Sequence, residues 1–105
     1  MQRGEIWWAE LPAPAGRRPV LLLSRDSAYK VRTSVTVAVI TRTIRKIPVE
    51  VSLDKTDGMP SLCVINLDEI LTIPNYILKD RIVSLSAEKM AAVEKAISFA
   101  LDLKI

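Results

Sequence analysis

The apolar run Val20-Leu21-Leu22-Leu23 constrains the fold most. Four such residues without a polar interruption read as a strand covered on both faces. Pro19 stands immediately before them. A residue with no N–H is tolerated in a sheet mainly at a strand's first position or on an edge, so Pro19 marks the start of this strand. It also restricts Arg18 to extended backbone, which places a guanidinium on a stiffened segment where a loop enters a buried strand. A second strand of similar length follows over residues 34–41 and ends Ile40-Thr41-Arg42. If the two pair antiparallel, the start of the first lies beside the end of the second, and Arg18 and Thr41 share one rim of the sheet.

The remaining elements are short. Residues 5–11 form a first strand rich in β-favouring side chains. Trp7 and Trp8 within it must face opposite sides, so one packs inside and the other lies at an interface or under a loop; stacking on a nucleobase is the less expected use. Pro12 to Arg17 is a Pro/Gly loop that leads into Arg18 and can fold over whatever binds there. Asp26 or Ser27 caps a helical turn through Tyr29 and Lys30. Residues 47–53 alternate and read as a half-exposed strand, with Pro48 arguing for an edge. Residues 54–60 turn at Gly58. A long strand spans 61–71, on which alternation places Asn66 and Asp68 on one face and Leu67 and Glu69 on the other. One helical turn near Pro74–Leu78 precedes a last strand over 80–85.

Ser86 then caps a helix running to about Leu103, with Leu85 and Met90 placed as a hydrophobic staple. Its apolar stripe is Met90, Val93, Ile97, Ala100 and Leu101, a core face or dimer seam. About six strands and one C-terminal helix predict a mainly β chain with helices, folded as a single domain over residues 1–105 into a small barrel.

Charge is distributed unevenly. The net charge is +3. Residues 17–46 carry eight basic side chains (Arg17, Arg18, Arg25, Lys30, Arg32, Arg42, Arg45, Lys46) against Asp26 alone, giving +7, and the rest of the chain sums to −4. Such a split favours an anionic partner on one side, a phosphate backbone or an acidic polypeptide; a solvated Lys/Arg surface is the plainer reading. Half the residues are hydrophobic, which for a small chain suggests either a dense core or a face buried in an oligomer. The chain has no histidine and one cysteine. That excludes Ser-His-Asp and Cys-His machinery, a disulfide framework and the usual zinc knuckles, and it leaves Cys63 as a buried, unreactive thiol. No metal or cofactor is expected. Glu5 and Glu10 interrupt the N-terminus, so a signal peptide is not expected, and no apolar run is long enough to cross a bilayer. A cytoplasmic protein without membrane association is the expectation.

What remains is a fixed guanidinium and a threonine hydroxyl in a basic field. Arginine stays charged at every relevant pH and can hold two phosphate oxygens. RNA supplies its own nucleophile, the 2′-OH, so this set can serve phosphodiester cleavage; a solvated Arg and Thr at the strand ends is the plainer reading. The residue types identify no general base.

The series Arg3-Gly4-Glu5-Ile6-Trp7-Trp8-Ala9-Glu10-Leu11, Arg18-Pro19-Val20-Leu21-Leu22-Leu23-Ser24-Arg25-Asp26, Val37-Ala38-Val39-Ile40-Thr41, residues 61–73 and the Ala100-Leu101-Asp102-Leu103 ending resembles the MazF/PemK toxin family. The resemblance implies an SH3-like barrel of the PemK/MazF/CcdB type, a homodimer, and metal-independent, sequence-selective cleavage of single-stranded RNA. Attack by the 2′-OH would leave a 2′,3′-cyclic phosphate (or 3′-phosphate) and a 5′-OH. The family's catalytic arginine and threonine match Arg18 and Thr41. Its acidic or amide contacts to RNA bases match Asp68 and Glu69, for which ordinary surface charge is the other reading. From the basic stretch, Arg17, Arg25, Arg42 and Arg45 are the further RNA-binding candidates. The implied partner is an antitoxin whose acidic, disordered tail occupies the RNA groove. The first loop departs from the family: it is short and lacks the Gly-Ser-Glu element often found there. The competing readings are a non-enzymatic, gyrase-binding toxin resembling CcdB and a partner-binding module without turnover. The former relative ends Trp-Gly-Ile, and this chain ends Leu103-Lys104-Ile105.

Overall fold

The computed structural model describes residues 1–104; Ile105, the end of that last tripeptide, lies outside the described residues. Six strands form one antiparallel sheet: β1 (Glu5–Glu10), β2 (Arg17–Leu22), β3 (Ser34–Thr41), β4 (Glu50–Leu53), β5 (Cys63–Pro74) and β6 (Leu78–Ser84). Their order is β4-β5-β3-β2-β1-β6. The sheet curls into a half-barrel, with a short helix α1 (Ala28–Val31) at the β2–β3 turn and a C-terminal helix α2 (Ala87–Ala100).

Alternation along each strand divides the apolar residues between two faces. Ile6, Leu21, Ala38, Ile40, Leu53 and Ile65 join Val93 and Ala96 of α2 in one cluster. Ala9, Val20, Leu22, Val35, Val37 and Val39 form a second cluster on the opposite face, with Trp7 and Tyr29 packed against it. The apolar run of β2 thus supplies both cores, which is why it has no polar interruption. Each fully buried Leu or Ile contributes about 1.5–3 kcal/mol by leaving water.

Several boundaries differ from the sequence reading. β2 begins at Arg17 rather than Pro19, because β1 continues to pair with it through Trp8↔Pro19, Ala9↔Arg18 and Glu10↔Arg17. β2 is also a central strand, yet its ladder to β3 starts only at Val20↔Val39. Pro19 therefore sits where β2 has a neighbour on one side alone, which meets the proline rule by a route the sequence does not reveal. β4 starts at Glu50, three residues later than expected, since residues 47–49 form a turn closed by Glu50 N–H to the Ile47 carbonyl at 3.0 Å. It is an edge strand, as expected, although Pro48 lies in the turn before it rather than in the ladder.

In β5 the expected alternation fails after Asn66. β3 advances one residue, Ala38 to Val39, while its partner moves from Ile70 to Asn66, so residues 67–69 bulge out. Asn66 and Glu69 consequently meet, Nδ2–H to Oε1 at 3.3 Å, instead of facing opposite ways.

Ser86 caps α2 by accepting the Lys89 N–H at 3.1 Å. The helix ends at Ala100, earlier than its apolar stripe suggests. Asp102 takes a left-handed φ of 54°, and the N–H groups of Asp102 and Leu103 turn back to the carbonyls of Phe99 and Ser98. Leu101 is therefore 56% exposed and leaves the stripe, and Ala96 takes the buried place instead.

Gly58 closes a 3₁₀ turn over Lys55–Asp57 at φ +93°. A Cβ there would lie 2.8 Å from Cγ2 of Val83. Gly16 is also left-handed, at φ +68°, but a Cβ would meet nothing. Backbone strain alone costs about 1–2 kcal/mol, and displacing a packed β-branched side chain costs about 1–3 kcal/mol more. Gly58→Ala is thus expected to lower the urea midpoint clearly further than Gly16→Ala; equal midpoints would show that Val83 yields freely.

Candidate functional site

Because β2 and β3 cease to pair beyond Val20↔Val39, their ends flank an open cleft of about 490 Å³. That size falls within the range of small-ligand sites. Continuing the register by two residues puts Arg18 opposite Thr41. Both line the cleft, together with Arg17, Arg42 and the ring of Trp8. The far wall is Met59 to Ser61 and Cys63, which the sequence reading did not include. The signal for that wall was β5 pairing with β3 at Thr41↔Val64, which carries the preceding loop to the rim.

Arg18 and Thr41 each have a defined setting in the cleft. The Arg18 Nε–H donates to the Ala15 carbonyl at 3.2 Å, so the short Pro12–Gly16 loop grips the guanidinium. That loop is itself closed by Leu11 N–H to the Gly16 carbonyl at 3.0 Å. Among the described residues Arg18 forms no ion pair, and its forked Nη groups have no protein acceptor. The Thr41 Oγ1 accepts the Thr43 N–H at 3.1 Å. One lone pair is thereby occupied and the hydroxyl proton remains available to donate.

Arg17 is differently placed. Its guanidinium carbon stands 4.9 Å above the Trp8 ring and its Nη2 is 3.8 Å from Asp80. The ion pair is exposed and adds little stability, but the stacking orients Trp8 toward the cleft. Trp7 is on the other face, its indole N–H donating to Glu5 Oε1 at 3.0 Å.

The other predicted contacts lie outside the cleft. Arg25 follows the far end of β2, roughly 20 Å along the strand from Arg18. Arg45 is exposed on the β3–β4 loop, and Asp68 and Glu69 are exposed on the β5 bulge. The basic stretch is accordingly not one patch. An antiparallel pair brings Arg17, Arg18, Arg42, Arg45 and Lys46 to one end and leaves Arg25, Lys30 and Arg32 at the other.

A family model described as PemK-like, MazF-like toxin of type II toxin-antitoxin system matches residues 2–101. The chain belongs to the PemK/MazF toxin family. It is 39% identical over 101 residues to a protein named probable endoribonuclease MazF5 of Mycobacterium tuberculosis, covering 95% of this chain and 92% of that one. Its fold superposes on a solved structure of the Mycobacterium tuberculosis toxin MazF-mt6 with a TM-score of 0.89 at 37% identity, over 96% and 99% of the two chains. A more distant likeness in fold, at 24% identity and TM-score 0.88 over 100% and 98%, is to an endoribonuclease from Mycobacterial species solved in complex with its cognate antitoxin.

In this PemK/MazF chain the cleft also holds a thiol. Cys63 is 4% exposed, and burial pushes its pKa up, helped by the Asp57 and Asp54 carboxylates. A protonated, covered thiol is a poor nucleophile. Iodoacetamide at pH 8 is expected to label Cys63 readily in urea and only slowly in the native protein. Fast native labelling would show that the Met59–Cys63 wall opens.

Proposed function

We propose that this chain is the toxin of a toxin–antitoxin pair and acts as a metal-independent, sequence-selective endoribonuclease on single-stranded RNA. The observation that carries the reading is the pairing of an uncompensated Arg18 fork with a donating Thr41 hydroxyl across one cleft. A bridging phosphate seated there would accept two N–H bonds from Arg18 and one O–H bond from Thr41. As the RNA 2′-OH attacks phosphorus, charge builds on the non-bridging oxygens, and both groups stabilise it most at that point. The 2′-oxygen gives up its proton to water and bonds to phosphorus, and the bond from phosphorus to the 5′-oxygen breaks as that oxygen takes a proton from water, giving a 2′,3′-cyclic phosphate and a 5′-OH. DNA lacks the attacking hydroxyl and would bind without reacting.

The nearby cations extend the grip. Arg42 lines the cleft, Arg45 stands on the adjoining loop, and Trp8 offers a face on which a base can stack. Arg17, held over Trp8, adds positive charge to the same rim. Asp68 and Glu69, as acceptors at the bulge, would contact base edges further along the strand. Arg25 would meet RNA only if the strand continues around the molecule.

We infer, too, that residues 1–105 act as one domain, that the chain works as a homodimer in the cytoplasm, and that its antitoxin covers the basic rim with an acidic tail. Exposed Leu71, Tyr76 and Phe99 supply apolar surface for such contacts, and no helix among the described residues is long and apolar enough to cross a membrane.

Incubation of a long RNA in EDTA, with mapping of the 5′ ends, tests the activity. Discrete cuts whose 5′ ends take a kinase label without phosphatase treatment are expected. Arg18→Ala should abolish cleavage with the fold intact, and Thr41→Val, which keeps the branched shape, should slow it about a hundredfold. Loss of activity in EDTA, or an undiminished rate in Arg18→Ala, would overturn the reading.

A further inference from the structure

The carboxylate of Glu50 makes an unusual pair of contacts. Its Oε1 accepts the backbone N–H of both Arg45 and Lys46, each at 2.9 Å. These two amides belong to the loop between Thr41 and β4, the segment that carries Arg42, Arg45 and Lys46 and no acidic residue. Lys46 is held at φ +55°, a left-handed conformation that a non-glycine residue does not adopt without support. The other shoulder of the loop is tied by the Thr43 N–H to Thr41 Oγ1. Between those ties the chain has no regular structure and returns through Ile47 and Pro48 into β4.

From this we propose that Glu50 is a positioning residue for the RNA site: it fixes the β3–β4 loop so that its cations stand beside the cleft before RNA arrives. The inference rests on the nuclease reading above and deepens it. Three cations within five residues repel one another and favour an open, spread loop. A bare ionised oxygen that accepts two adjacent amides opposes that, because charge-assisted bonds to backbone are stronger than neutral ones. Ordering the loop in the free protein removes a cost that binding would otherwise meet. Glu50 itself does not line the cleft. It sits at the start of the edge strand, half-buried, paired with Asn66, and its Oε2 is buried without a hydrogen-bond partner among the described residues.

Thr41 is tied to the loop as well. Its hydroxyl oxygen is the acceptor for Thr43, so a loop that swings away also shifts the environment of the donating proton. Glu50 should nevertheless act mainly on binding. The anchored amides belong to Arg45 and Lys46, four and five residues beyond Thr41, whereas Arg18 is held from the opposite side by Ala15.

The test compares Glu50→Ala with Glu50→Gln on an RNA oligonucleotide that contains a mapped cleavage site. Glutamine keeps an oxygen that can accept both amides; alanine does not. Glu50→Ala is expected to raise KM about tenfold with kcat within about twofold, and Glu50→Gln to restore most of the loss. Loss of kcat alone, unchanged KM in Glu50→Ala, or equal impairment in both variants would overturn the proposal. Amide hydrogen exchange on the wild-type protein provides an independent arm. Protection at Arg45 and Lys46, lost in Glu50→Ala and kept in Glu50→Gln, is expected, and fast exchange at both amides in the wild type would overturn the proposal even if the alanine variant did not fold. Should no RNA be cut by the wild-type chain, the nuclease reading fails. Binding of a fluorescent single-stranded DNA of mixed sequence would then still judge Glu50 by the same tenfold criterion.

Discussion

The site depends on one missing hydrogen-bond donor. Pro19 cannot donate, and the β2–β3 ladder begins one residue beyond it. In a central strand a proline normally breaks pairing on one side. Here the break lies at the end of both strands, so it opens a cleft rather than a hole in the sheet. β1 continues to pair through Pro19 and keeps Arg17 and Arg18 extended. The same residue therefore stiffens the backbone that carries Arg18 and clears the space into which it projects. A donating residue at this position would permit the ladder to run on toward Thr41, closing the gap with backbone bonds.

Alternation then assigns the aromatic pair. Once Trp7 packs on the second cluster and is bonded to Glu5, Trp8 must emerge on the other face, beside the cleft. Glu5 is a buried carboxylate that this arrangement sustains. Burial opposes its charge, but bonds from the Trp7 indole and the Gln2 amide, with the Arg81 guanidinium at 3.4 Å, outweigh that and hold its pKa below the usual value. The network also fixes β1 against β6 where their register shifts. A charged anchor on one face of β1 thus fixes Trp7, and alternation leaves Trp8 on the other.

What could be read in advance follows the same logic. Strand existence, the β2–β3 pairing, the Arg18–Thr41 rim and the cap at Ser86 were legible because each rests on local signals: a proline, an apolar run, a hydroxyl before a helical period. The bulge at residues 67–69 was not, since alternation assumes an even ladder and only the pairing partner reveals the three extra residues. The early end of α2 was hidden because Asp102 does the work usually signalled by glycine or asparagine. The far wall of the cleft is a loop brought there by a strand twenty residues on in sequence, and no local pattern around Met59 or Ser61 announces it. Charge counting failed in a similar way: a run of basic residues along the chain becomes two groups when the chain reverses at α1.

Those groups also differ in how their charge is balanced. Arg3, Arg17 and Arg81 each have a carboxylate within 4 Å. Among the described residues Arg18 and Arg42 have none, and Arg18 is oriented by a neutral carbonyl instead. Apart from Asp80, the acids of the neighbouring turn and loop are occupied by backbone amides. Asp54 and Asp57 accept backbone amides of the 3₁₀ turn behind the Met59 wall, and Glu50 accepts those of the basic loop. A carboxylate bonded to amides stabilises the frame without reaching the guanidinium. Around Arg18 the cleft therefore retains its positive potential, while at its rim Arg17 is partly balanced by Asp80 at 3.8 Å.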